Sequence, residues 1–131
     1  MKLGLQAKVA IVGGASEGIG YGIARLLAAE GACVAMVARR AEPLNAAVQR
    51  IATETGAKTL AIAADIRKAA DCVRIVDSAA AHFGRIDFLI NNDGAPPLGL
   101  MMDFDDQAWD KAVQQNLMSV VRLTRGAIPH M

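Results

Sequence analysis

The stretch "IVGGASEGIG", Ile11 to Gly20, places four glycines within eight residues directly after the apolar run Val9–Val12. An apolar run, a glycine-rich turn and a helix-length amphipathic segment read as a strand feeding the N-terminus of a helix. That terminus offers unpaired N–H groups and the positive end of the helix dipole, and glycine lets an anion come close to them. Gly14, Gly18 and Gly20 therefore mark a phosphate cradle. A glycine turn that only lets a helix pack closely on a strand would leave the same pattern. A triphosphate loop needs a lysine and a serine or threonine after Gly18, but Ile19 and Gly20 stand there, which argues against a nucleoside triphosphate.

Outward from this stretch the chain alternates two kinds of segment. The apolar runs Val9–Val12, Cys33–Ala38, Thr59–Ala63 and Ile86–Ile90 are continuous, as strands covered on both faces should be. Between them lie three helical patterns. The first carries Ile19, Ile23, Leu26 and Leu27 and stops at Gly31. The second has Pro43 near its first turn, carries Leu44, Val48 and Ile51, and ends at Gly56. The third starts near Lys68, carries Val73, Val76, Ala80 and Phe83, and ends at Gly84. A fourth, longer helix is predicted from Asp105 as N-cap through Trp109, Val113, Leu117, Val120 and Val121 to at least Leu123, after an irregular loop from Asn91 to Phe104. This grammar predicts one α/β domain, residues 1–131, built on a parallel sheet.

Two arginines sharpen the ligand. A dinucleotide site holds the adenosine ribose about 20 residues past its glycines, commonly with an acid on the 2′-hydroxyl. Arg39 and Arg40 occupy that distance instead. A guanidinium favours a 2′-phosphate, so NADP(H) is preferred and NAD(H) stays open. Two solvated arginines following a strand are the alternative, and Glu17 would offset part of their field.

Composition excludes other classes. The net charge of +1 is scattered, which gives no footprint for nucleic acid or an anionic membrane, and the apolar runs are too short to span a bilayer. Cys33 and Cys72 lie in apolar segments without metal-ligand or redox spacing and read as buried thiols, so a reducing, cytoplasmic setting is expected and no metal site.

The motifs "GGASEGIG" (Gly13–Gly20), "AADI" (Ala63–Ile66), "NNDG" (Asn91–Gly94) and "NLMSVVRLTRGAIPHM" (Asn116–Met131) together resemble the short-chain dehydrogenase/reductases. The resemblance implies a Rossmann-type doubly wound sheet with strand order 3-2-1-4. It implies a cofactor site in which Gly14, Ser16, Gly18, Ile19 and Gly20 meet the pyrophosphate, and Arg39 and Arg40 the adenosine end. Asp65 and Ile66 would recognise adenine, Asn92 and Gly94 would lie beside the ribose, and Asn116 would join the catalytic set by holding a water. Asp65 reads equally well as the N-cap of the third helix. Three residues depart from the family's habit: Gly13 for threonine, Glu17 for a basic residue in NADP users, and Asp93 for alanine. Asp93 either places a carboxylate near the nicotinamide side or simply makes a turn with Gly94.

The family's serine and Tyr-x-x-x-Lys set does not occur in the chain, and the single tyrosine, Tyr21, sits beside the glycine loop. The resulting expectation is the cofactor-binding half of an oxidoreductase acting on a small-molecule ketone or secondary alcohol, incomplete on the C-terminal side of the sheet and inactive alone. A non-catalytic nucleotide-binding module is the competing reading. The resemblance also implies a homo-oligomer formed through the helix around residues 105–128.

Overall fold

A computed structural model describes residues 3–131. The chain runs β1 (Val9–Val12), α1 (Gly18–Ala29), β2 (Cys33–Ala38), α2 (Ala41–Thr55), β3 (Thr59–Ala63), α3 (Ala69–Phe83), β4 (Phe88–Ile90), α4 (Asp106–Val113) and α5 (Ser119–Ala127). A π-helical turn, Gln114–Met118, joins α4 to α5 without a break. The four strands are parallel in the order β3-β2-β1-β4, the Rossmann order expected.

Alternation along each strand builds two cores. Ile11, Ala35, Val37 and Ile62 point to the side covered by α3 and α5, where they meet Cys72, Ile75, Val76, Ala79, Leu123 and Ala127. Ala10, Val12, Val34 and Met36 point to the other side, against Ala24 and Ala28 of α1 and Leu44, Ala47 and Ile51 of α2. With both faces covered, β1 and β2 must be apolar throughout, which is why their runs read as continuous.

Several helix faces differ from the sequence expectation. On α1 the buried residues are Gly20, Ala24 and Ala28, while Ile19 and Leu26 are exposed. On α3, Val73 is exposed and Cys72, Ile75, Val76 and Ala79 are buried. On the long helix, Trp109, Val113, Leu117, Val120 and Val121 are 38–56% exposed, and Ser119, Leu123 and Ala127 make the buried contact. Small residues allow close approach: a side chain on Gly126 of α5 would already meet Val76 of α3 at 3.3 Å. Cys72 is buried as expected, its thiol pushed up by burial and donating to the Ile66 carbonyl at 3.1 Å, whereas Cys33 is only half-buried.

Charge fastens the sheet at the strand N-termini. Asp87 accepts from the Val9 N–H at 2.9 Å and from Arg85 at 2.6 and 2.9 Å, with Lys8 at 3.8 Å. This joins the starts of β1 and β4 and leaves the opposite ends free for a site.

Candidate cofactor site

The C-terminal ends of β1, β2 and β4 open onto a cleft of about 330 Å³. Its middle is the glycine loop. Gly14 and Gly18 have φ of +55° and +61°, a region that side chains rarely adopt. A Cβ on Gly20 would collide with the Gly14 carbonyl and lie 2.7 Å from the Gly13 carbonyl oxygen, so α1 can press against the turn only with glycine there. The loop is pinned by three bonds: Gly13 N–H to the Ile90 carbonyl at 3.1 Å, Ala15 N–H to the Val37 carbonyl at 3.0 Å, and Asn92 Nδ2 to the Gly13 carbonyl at 3.1 Å.

Glu17, extended at φ −158°, is the N-cap of α1 but its side chain caps nothing, and the Tyr21 N–H bonds back to the Glu17 carbonyl at 3.3 Å. The amides of Gly18, Ile19 and Gly20 precede that bond and have no acceptor within the helix. The start of α1 is thus an uncapped positive end facing a cleft that a Cβ at Gly14 or Gly20 would distort. Those features fit a diphosphate. Gly14, Ser16 and Ile19 line the cleft; Gly18 and Gly20 shape it without lining it. Ile19, expected both in the apolar stripe and at the pyrophosphate, belongs to this wall.

At one end of the cleft Arg39 and Arg40 follow β2, both exposed. Among the described residues neither makes an ion pair. At the other end stand Asn92, Asp93 and Gly94. No turn forms at Asp93-Gly94; Gln115 Nε2 instead donates to Asp93 Oδ2 at 2.7 Å and to the Gly94 carbonyl at 2.9 Å.

The sheet end holds a second cavity of about 100 Å³. Asn92 and Asp93 line both, and Ile66, Gln115, Asn116 and Ser119 line only the second. Asn116 lies in the π turn, its Nδ2 donating to the Ala112 carbonyl at 3.0 Å, which leaves its amide oxygen as an acceptor. The buried Ser119 hydroxyl donates to the Gln115 carbonyl in the same turn. Wide turns of this kind recur where a helix must present functional groups.

Asp65 and Ile66 are not part of the cleft wall. Asp65 is held in a fork by Arg67, whose Nε and Nη2 each donate at 2.9 Å, while the Arg67 N–H adds a bond of 3.0 Å. Arg67's hydrogen bond holds the Asp65 carboxyl below its ordinary range, against the opposing effect of burial, and Arg39 contributes from further away. Asp65 does not cap α3, since Lys68 occupies that position. Its own N–H is instead taken by Asp71 at 2.7 Å. Asp105, by contrast, caps α4 as expected, accepting from the Ala108 N–H at 2.9 Å. His82 packs edge-on against Phe83, and neither His82 nor His130 lines the cleft.

Sequence reading missed Gln115, Arg67 and Asp71. The Asp65-x-Arg67 spacing could have suggested the fork. Nothing in the sequence marks Gln115, which only the topology brings to Asp93.

Comparison with known proteins agrees with this geometry. The family model for short chain dehydrogenase matches residues 8–131. The chain is 40% identical over 129 residues to 11-beta-hydroxysteroid dehydrogenase 1A of Arabidopsis thaliana, covering 97% of itself and 37% of that protein. It is 34% identical over 127 residues to dehydrogenase/reductase SDR family member 4 of Caenorhabditis elegans, covering 96% of itself and 49% of the relative. The crystal structure of L-sorbose reductase from Gluconobacter frateurii, complexed with NADPH and L-sorbose, superposes with a TM-score of 0.97 at 34% identity, over 100% of this chain and 50% of that one. A short chain dehydrogenase from Burkholderia cenocepacia J2315 in complex with NADP gives 0.92 at 36% identity, over 97% and 52%. The chain therefore spans about half the length, or less, of these four proteins. On the strength of the matched residues 8–131 and the shared fold, the chain belongs to the short chain dehydrogenase family.

Proposed function

We propose that this chain supplies the NADP(H)-binding half of an oxidoreductase that interconverts a ketone and a secondary alcohol. The observation carrying the proposal is the construction of the cleft: arginines with no ion pair among the described residues at one end, uncapped helix amides in the middle, and the Asn92–Gly94 segment at the other. Solved relatives complexed with NADPH or NADP support the choice of cofactor. When bound, the dinucleotide supplies a hydride donor or acceptor. The chain's own residues bind and orient it. The amides of Gly18–Gly20 donate to the diphosphate, and Arg39 and Arg40 pair with the 2′-phosphate. Asn92 keeps the loop joined to β4, and Asn116 offers its amide oxygen to a water in the adjoining cavity. The proton-donating tyrosine and lysine of the family have no counterparts among the 131 residues, so this chain on its own binds cofactor without turning over a carbonyl.

The stripe Trp109, Val113, Leu117, Val120 and Val121 supports a further part of the reading, self-association through the long helix. Five large apolar side chains left exposed along one helix are more than a solvated helix surface ordinarily carries.

Titration of NADPH and NADH against the chain tests the cofactor assignment. NADPH should bind more tightly, and Arg39→Ala with Arg40→Ala should weaken it by about tenfold or more, since a charge-assisted bond contributes about 1.5–3 kcal/mol. NADH should change little. Equal losses for both cofactors, or no binding of either, refute the assignment.

A further inference from the structure

We infer that the Asp93 carboxylate, braced by Gln115 at the end of the cleft remote from the arginines, makes this site discriminate between the redox forms of its cofactor and favours the oxidised one. The inference rests on the nicotinamide dinucleotide reading of the cleft. With the 2′-phosphate at Arg39 and Arg40 and the diphosphate at the start of α1, the nicotinamide half falls to the Asn92–Gly94 end. Asp93 lines the cleft there and also lines the adjoining cavity that holds Asn116.

Three observations give this carboxylate a directed role. Gln115 Nε2 holds Asp93 Oδ2 and the Gly94 carbonyl with one amide group, which fixes the side chain to its own backbone segment. Among the described residues the second carboxylate oxygen accepts no hydrogen bond and Asp93 makes no ion pair. The cation that feels its field, Arg67, is already committed to Asp65 by a two-bond fork. A negative charge is left over at the nicotinamide end.

Oxidised nicotinamide is a pyridinium cation, whereas the reduced ring is neutral. The phosphates are the same in both forms, so the α1 amides and the two arginines act on both alike. A carboxylate near the ring lowers the free energy of only one form.

The test is a pair of titrations of the purified chain, NADPH by its fluorescence and NADP⁺ by competition against it, repeated with Asp93→Asn and Asp93→Ala. Both substitutions should raise the ratio of the NADP⁺ to the NADPH dissociation constant about fivefold, the scale of one partly screened charge pair, and the effect should shrink in high salt. Glu17→Gln, beside the diphosphate, should tighten both forms in parallel. An unchanged ratio in both Asp93 variants overturns the inference, as does equal tightening of both forms, which would mean that Asp93 merely repels phosphate. Failure of the unsubstituted chain to bind either form removes the cofactor reading and this inference together, so the two failures are distinguishable.

Discussion

Substituting alanine for Gly20 adds one methyl group at the point where α1 crosses the glycine turn. That carbon would meet the carbonyl of Gly14 too closely, with the Gly13 oxygen and the Gly14 carbonyl carbon each at 2.7 Å, against about 3.4 Å for an ordinary contact. All three obstacles are backbone atoms, so no flexible side chain can yield. The helix must instead move off the turn by more than about 0.7 Å, the difference between those two distances, because the Gly14 oxygen lies closer still. Overpacking of this kind costs about 1–3 kcal/mol, which for a domain of this size lowers the unfolding midpoint by roughly 4–12 °C. The same shift misdirects the amides of Gly18–Gly20, so NADPH affinity should fall as well. Gly22, two residues on in the same helix, provides the contrast: a Cβ there meets nothing within 4 Å. Gly22→Ala should therefore stabilise by about 0.5–1 kcal/mol through helix propensity. Thermal unfolding followed by circular dichroism, with a fluorescence titration of NADPH, reads both variants. If Gly20→Ala matches the parent in midpoint and affinity, or if the two variants shift in the same direction, the close-approach argument is wrong.

Acid should unfold the chain through its fastened carboxylates. In Asp87 the Arg85 hydrogen bonds, opposed by burial and helped by the Val9 N–H, hold the carboxyl below its ordinary range, and Asp65 and Asp71 are lowered likewise. A carboxyl lowered on folding stabilises fully above its unfolded value of about 3.9 and loses that contribution as pH falls through the folded value. The unfolding midpoint should hold down to about pH 5 and drop below about pH 4, and Asp87→Asn should flatten part of that drop; an unaltered profile would remove Asp87 from the account. Leu117→Asp with Val121→Asp should abolish self-association in sedimentation while leaving the unfolding midpoint within a few degrees, because both positions are exposed in the single chain. An unchanged sedimentation coefficient for an associated parent would place the contact elsewhere.

Strand positions were legible because burial on both faces leaves little choice of residue from Val9 to Val12 or from Cys33 to Ala38, whereas the strand order came only with the family resemblance. The helix faces were less so, for one physical reason. Periodicity of large apolar residues was read as the core face, but α1 packs through Gly20, Ala24 and Ala28, and α5 through Ser119, Leu123 and Ala127. Helices that sit close to a sheet or to each other select small side chains at the contact, so Leu26 and Val121 were left to mark outward surfaces. In the site, the glycines and arginines announced themselves by residue type. Gln115 and Arg67 did not, because ordinary polar residues gain their place here only through the partners that folding brings to them.

The π turn at Gln114–Met118 acts as a phase shifter. It puts one extra residue into a helix whose normal advance is about 100° per residue, so α4 and α5 are offset from a single continuous register. Because that residue is extra, a one-residue deletion in the turn would let it close into ordinary α-helix with Leu123 and Ala127 kept on α3, and what would be lost is the widened turn that holds Asn116. The added residue thus serves the cavity wall around Asn116 and not the seat of α5, and its deletion should spare the unfolding midpoint more than it spares the site.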